Sequence, residues 1–164
     1  MPLIIRSGYI FPFIVPKILF LRSIIIALLG CYLVLLVTDF KKYRSRFSLL
    51  TVSILLFWLS FAISTFAGVD WYRSFWDNHE RMLGLFTITH YVILYLIASA
   101  IVTTDTQWNT VFRSALLCGG LVMVIGMWQR FVNPDAILNQ GSDRVSATLG
   151  NPIYYSGYGL FLLF

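Results

Sequence analysis

Charge is scarce in this sequence. Only 12% of its 164 residues are Asp, Glu, Lys or Arg, about half the share of an ordinary soluble domain, which is roughly 25%. A chain of this kind cannot surround itself with solvated side chains, and 59% of it is hydrophobic, with a mean hydropathy of +0.80. Alternation of period two is also lacking. The apolar runs are long and continuous, which favours helices over a β-barrel. Cysteine is rare: Cys31 and Cys118 both fall within apolar runs and are expected to be small buried residues, with no disulfide or metal role. Histidine occurs twice, and His79-Glu80 lacks the second histidine, four residues on, that a zincin needs. GxSxG, P-loop and Asp-rich metal–diphosphate motifs are absent, so no cofactor and no metal are expected. The net charge of +5 is spread through short loops with no basic stripe, which argues against nucleic acid as a partner.

What is present is a succession of spans. The apolar runs at residues 18–37, 47–68, 82–103 and 114–132 each approach the roughly 20 residues that cross a bilayer, and a fifth starts at 153. The expected fold is an all-α polytopic transmembrane helical bundle, with about four complete spans and the start of a fifth. Residues 1–164 form a single transmembrane region without repeats or low-complexity tracts. Residues 1–16 are too broken by Arg6, Gly8, Pro12 and Pro16 to cross. The N-terminus lacks the order of a cleavable signal, so insertion is expected to use the spans themselves. The fifth run reaches Phe164 after twelve residues, roughly 18 Å of helix, so the sequence reads as a fragment cut within a helix.

Lys41, Lys42, Arg44 and Arg46 crowd the loop 39–46, which points to the cytoplasm. That orientation sends Arg6, Lys17, Arg22, Arg73, Arg81, Arg130 and Arg144 outward, against the positive-inside bias. Either the orientation is inverted or several outer arginines are retained for a function that overrides the bias, and the second is the expectation. Arg22, near the start of its span, is expected to snorkel to the interface.

Two segments carry chemistry. The first is the connector Trp71-Tyr-Arg-Ser-Phe-Trp-Asp-Asn-His-Glu-Arg81, whose rings suit the headgroup level. Ser74 and Asp77 form a weak capping-box-like pattern for a helix starting near Phe75 and running into the third span. On that helix Asp77 and Arg81 are four apart and could pair, and Arg73 and Arg81 flank the segment. His90 would face away from Arg81 and is expected to be buried and bonded across helices. The alternative is an interfacial aromatic belt with snorkelling arginines. The second segment is Arg144-Val-Ser-Ala-Thr-Leu-Gly-Asn-Pro-Ile-Tyr-Tyr. Asn151 can cap a helix whose first residue is Pro152, and a helix tip attracts anions. Arg144 adds a permanently charged planar fork, unless Asp143 simply neutralises it. Ser156, Gly157 and Gly159 would let another helix approach closely.

Together these segments resemble a known family. Ser74-Phe-Trp-Asp-Asn-His-Glu-Arg-Met-Leu-Gly-Leu-Phe-Thr, leading into His90, resembles the connector of bacterial O-antigen ligase family membrane proteins. Arg144-Val-Ser-Ala-Thr-Leu-Gly-Asn-Pro resembles their R-x-x-G-T-x-G-N-P loop, with Ala147 at the commoner glycine. The resemblance covers roughly residues 12–164. It implies an inner-membrane enzyme that moves a glycan from an undecaprenyl-diphosphate carrier to an acceptor lipid or saccharide, on the extracytoplasmic face, without metal or nucleotide sugar. It implies diphosphate contacts from Arg81 and Arg144 at the Asn151 helix tip, supported by Arg73 and Asp77. The catalytic residue is expected beyond Phe164, so these residues alone would be inactive. A transporter or flippase segment binding an anionic lipid, and a purely structural membrane module, are the alternative readings.

Overall fold

The computed structural model describes residues 1–45, 47–78, 80–133, 137 and 144–163. Arg46, His79, Pro134, Gly141, Ser142, Asp143 and Phe164 lie outside the described residues. The protein is all-helical: 74% is helix, and the described residues contain no strand. The helices are α1 (Val15–Thr38), α2 (Phe40–Tyr43), α3 (Leu49–Ala67), α4 (Trp71–Trp76), α5 (Leu85–Ile101), α6 (Asp105–Phe131) and α7 (Pro152–Leu163), with a 3₁₀ turn at Ala147–Leu149. Three of them, α1, α3 and α6, are long and apolar enough to cross a membrane. At 17 residues, α5 rises about 26 Å, slightly less than a hydrocarbon core of roughly 30 Å.

The chain divides into two compact units: a terminal unit of Met1–Lys17 and Asp105–Phe164, and a central unit of Ile18–Thr104. In the central unit α3 runs antiparallel to α5. Thr51 Oγ1 and Tyr95 Oη are 3.0 Å apart, and Trp58 Nε1 donates to Thr89 Oγ1 at 3.0 Å. By contrast α1 runs parallel to α5: Arg22 meets Thr87, and Tyr32 packs with Ile97 and Ala100. These paired positions advance ten residues on each helix, which is why the register holds along both. The buried stripe of α1 is Ile18, Arg22, Ile25 and Tyr32, with Leu29 and Leu36 packed beside it. That is the three-and-four spacing of one helix face. Most other large apolar residues of α1 and α3 are exposed, as suits helices in contact with lipid.

In the terminal unit α6 and α7 are antiparallel and approach closely. A Cβ added at Gly126 would collide with the Tyr155 ring, and one at Gly119 with Leu162. The small residues that permit this contact are therefore chiefly on α6, joined by Gly159 of α7 against Met123. Gly157, expected to share the role, faces open space.

Local chemistry moves several boundaries. Asp39 caps α2 by accepting from the Lys42 N–H, Ser48 caps α3 at Thr51, and Asp70 caps α4 at Arg73. The cap of the connector helix is thus Asp70, four residues before the expected Ser74. That helix does not continue into the third span. It stops at Trp76 because Asp77, its C-cap, takes φ of 63° with an extended ψ; a second positive φ, 52° at Met82, turns the chain again before α5. At its other end α6 starts at Asp105, well before residue 114. The polar turns of 105–113 are helical, with an acid at the positive end and Trp108 stacked on Phe112 one turn later. Cys31 is exposed and Cys118 half-buried, so the expectation of two buried thiols fails for Cys31.

Candidate functional site

The connector folds back on itself in the central unit. After α4, the backbone N–H groups of Arg81 and Met82 both donate to the Asn78 carbonyl, at 3.2 and 2.8 Å. The half-buried Asp77 carboxylate accepts from the Leu83 N–H at 2.8 Å. Its role is to close this turn, which corrects the expected pairing of Asp77 with Arg81. Gly84 completes the turn where the chain meets the end of α4: a Cβ there would strike the backbone of Phe75 and Trp76. Arg73 and Arg81 are both exposed. Phe86 stands at the centre of an aromatic cluster, with ring centroids 4.8 Å from Trp76, 5.8 Å from Phe75 and 4.6 Å from His90. His90 is buried as expected, but its Nδ1 is 2.7 Å from the Phe86 carbonyl of its own helix. The expected bond across helices is replaced by one within α5. Because the helix breaks at residues 77–84, the opposite-face argument separating Arg81 from His90 no longer applies.

Arg22 is more deeply enclosed than its place near the start of a span suggests. Its side chain turns into the unit and not out to solvent. Only 7% exposed, it donates through Nη2 to Thr87 Oγ1 and, at 3.3 Å, to the Met82 carbonyl. Its guanidinium lies 4.9 Å from the Phe86 ring centroid, within the range of a cation–π contact. The signal was available. Arg22 occupies the buried stripe shared by Ile18, Ile25 and Tyr32, and a charge on that stripe must turn inward.

The terminal unit holds the other motif. Arg144 is exposed, whereas Ser146, Ala147 and Thr148 are buried. Three long-range contacts fix this loop. Gln129 Oε1, near the end of α6, accepts from the Ala147 N–H at 2.8 Å. The Lys17 ammonium donates to the Thr148 carbonyl. The Phe13 ring fills the space where a Cβ of Gly150 would be, and Gly150 has φ of 74°. Ala147 also takes left-handed backbone, with φ of 45°, which explains physically why a glycine suits that position. Asn151 caps α7 as expected. Its Oδ1 accepts from the Ile153 N–H at 2.9 Å, and its carbonyl accepts from Tyr155 at 3.0 Å. Thr148 Oγ1 is buried without a partner among the described residues.

Arg81 belongs to the central unit and Arg144 to the terminal unit. The described residues contain no cluster of three or more His, Cys, Asp or Glu side chains able to hold a metal. Comparison with family models, curated proteins and solved structures gives no match.

Proposed function

We propose that this chain is part of a bacterial membrane glycan transferase of the O-antigen ligase or polymerase type, which takes a saccharide from an undecaprenyl-diphosphate carrier. On this reading α5 is a span, because it packs along its length with α1 and α3. Alternation of α1, α3, α5 and α6 then puts the connector and the 132–151 loop on the extracytoplasmic face of the inner membrane. Arg81 and Arg144 supply positive charge there, with Arg73 in the same connector as the first and the Asn151-capped α7 following the second in the chain. Positive charge aimed at a leaving diphosphate strengthens as its negative charge gathers, which lowers the barrier.

One observation carries the reading. In the Arg144–Asn151 segment the backbone is bonded to α6 at Ala147 and capped at Asn151 while Arg144 is exposed at its edge. This is how a scaffold presents a guanidinium to a ligand. The Asn151 Oδ1 is used by the cap, so its amide NH₂ is the group left to donate. The test is glycan transfer from the lipid carrier in membranes containing the intact protein. Arg81→Ala and Arg144→Ala should each lower turnover by roughly 10²-fold or more, the scale of losing one transition-state donor, while membrane insertion persists. Wild-type transfer by both variants would overturn the proposal.

A further inference from the structure

Arg22 carries a permanent charge at a position only 7% exposed, and its Nε is buried with no acceptor among the described residues. The partners it does have are neutral: a backbone carbonyl, a hydroxyl and the face of an aromatic ring. No ion pair with a described carboxylate accompanies them. The acids of the adjoining connector are otherwise placed, since Asp70 caps α4, Asp77 caps the turn at Leu83, and Glu80 is exposed. A buried cation without a counter-charge is strongly unfavourable, and ionisable groups within membrane helices mark ligand sites by default.

We infer that Arg22 binds a phosphate anion at the amino end of α5. A second source of positive potential lies at the same place. Gly84 precedes α5 without any side-chain cap; the Thr87 N–H turns back to the Gly84 carbonyl at 2.9 Å, which leaves those of Leu85 and Phe86 with donor capacity, and the Thr87 hydroxyl already touches Arg22. The exposed rings of Trp71, Tyr72 and Trp76 set this end of the unit at headgroup level, where phosphates of membrane lipids reside. The ligand chemistry is an anionic phosphate group, and a lipid headgroup and free phosphate both supply it. The site uses neither Arg81 nor Arg144, and it stands even if the chain takes no part in glycan transfer.

The experiment compares the purified full chain with its Arg22→Gln and Arg22→Lys variants in detergent. Thermal stabilisation is titrated with phosphatidic acid, with diacylglycerol of the same tails, and with inorganic phosphate at constant ionic strength. The wild type should be stabilised by phosphatidic acid and not by diacylglycerol. Arg22→Gln should weaken that binding by roughly 10- to 100-fold, the scale of losing hydrogen bonds to a charged group. Arg22→Lys, which keeps the charge and loses the fork, should weaken it less. Stabilisation by inorganic phosphate as well would identify the bare anion as sufficient; stabilisation by phosphatidic acid alone would identify the lipid. A folded Arg22→Gln protein that binds phosphatidic acid as the wild type does would make Arg22 a structural strut and overturn the inference. Should Arg22→Gln fail to fold, the wild-type titration decides: equal stabilisation by phosphatidic acid and diacylglycerol refutes it.

Discussion

Replacing Gly150 with alanine tests how the Arg144–Asn151 loop is held. Two independent penalties meet at this residue. Its φ of 74° is left-handed, and an L-residue there costs about 1–2 kcal/mol. The added methyl also enters the Phe13 ring, and overpacking of this kind costs about 1–3 kcal/mol. Gly150→Ala should therefore destabilise the protein by about 2–5 kcal/mol in total. Unfolding in mixed micelles, followed by circular dichroism, measures it. Gly157→Ala is the control, since that helical glycine faces open space; it should be neutral or stabilising by up to about 1 kcal/mol. A cycle with Phe13→Ala separates most of the two penalties. Phe13→Ala removes Cγ and the ring, which lie nearest to the added methyl, so most of the steric penalty should go and chiefly the backbone strain remain, giving a coupling of about 1–3 kcal/mol. A loss below about 1 kcal/mol, or strict additivity of the two substitutions, would refute the reasoning.

Two further substitutions address the central unit. Trp58→Phe removes the bond to Thr89 that ties α3 to α5. It should cost about 0.6 kcal/mol and less than about 2, the range for interhelical bonds in membranes; no coupling between Trp58→Phe and Thr89→Val in mixed-micelle unfolding would contradict that assignment. Gly84→Ala forces a methyl against the backbone of Phe75 and Trp76, which cannot rotate away. It should cost about 1–3 kcal/mol and free the connector, seen as faster proteolysis between α4 and α5; unchanged cleavage would count against the folded-back turn.

Much of this architecture was legible from the sequence, and the reasons differ by element. The helices α1 and α3 fall within a few residues of the expected runs, because continuous apolar character over some twenty residues has few other outcomes. The Asn151-Pro152 start of α7 was equally legible, since capping involves only neighbours in sequence. The polar start of α6 was missed because hydropathy reports what enters lipid, not what is helical. The break at Asp77 and Met82 was not legible because positive φ is uncommon even for Asp, which favours it more than most residues, and methionine gives no such signal. Inward-facing Arg22 was readable from its stripe but was overridden by the habit of arginines near span ends. The contacts of Lys17 and Gln129 with the Arg144–Asn151 loop join positions far apart in the chain, and no local pattern encodes them.

The claim on which the functional account depends is that the connector and the Arg144 loop share one face of the membrane. Its most direct measurement is labelling with an impermeant maleimide in oriented vesicles, after Cys31 and Cys118 have been replaced by alanine. Single cysteines at positions 81 and 144 should react from the same side, and one at position 41 only from the other. Reaction of positions 81 and 144 from opposite sides would contradict the account.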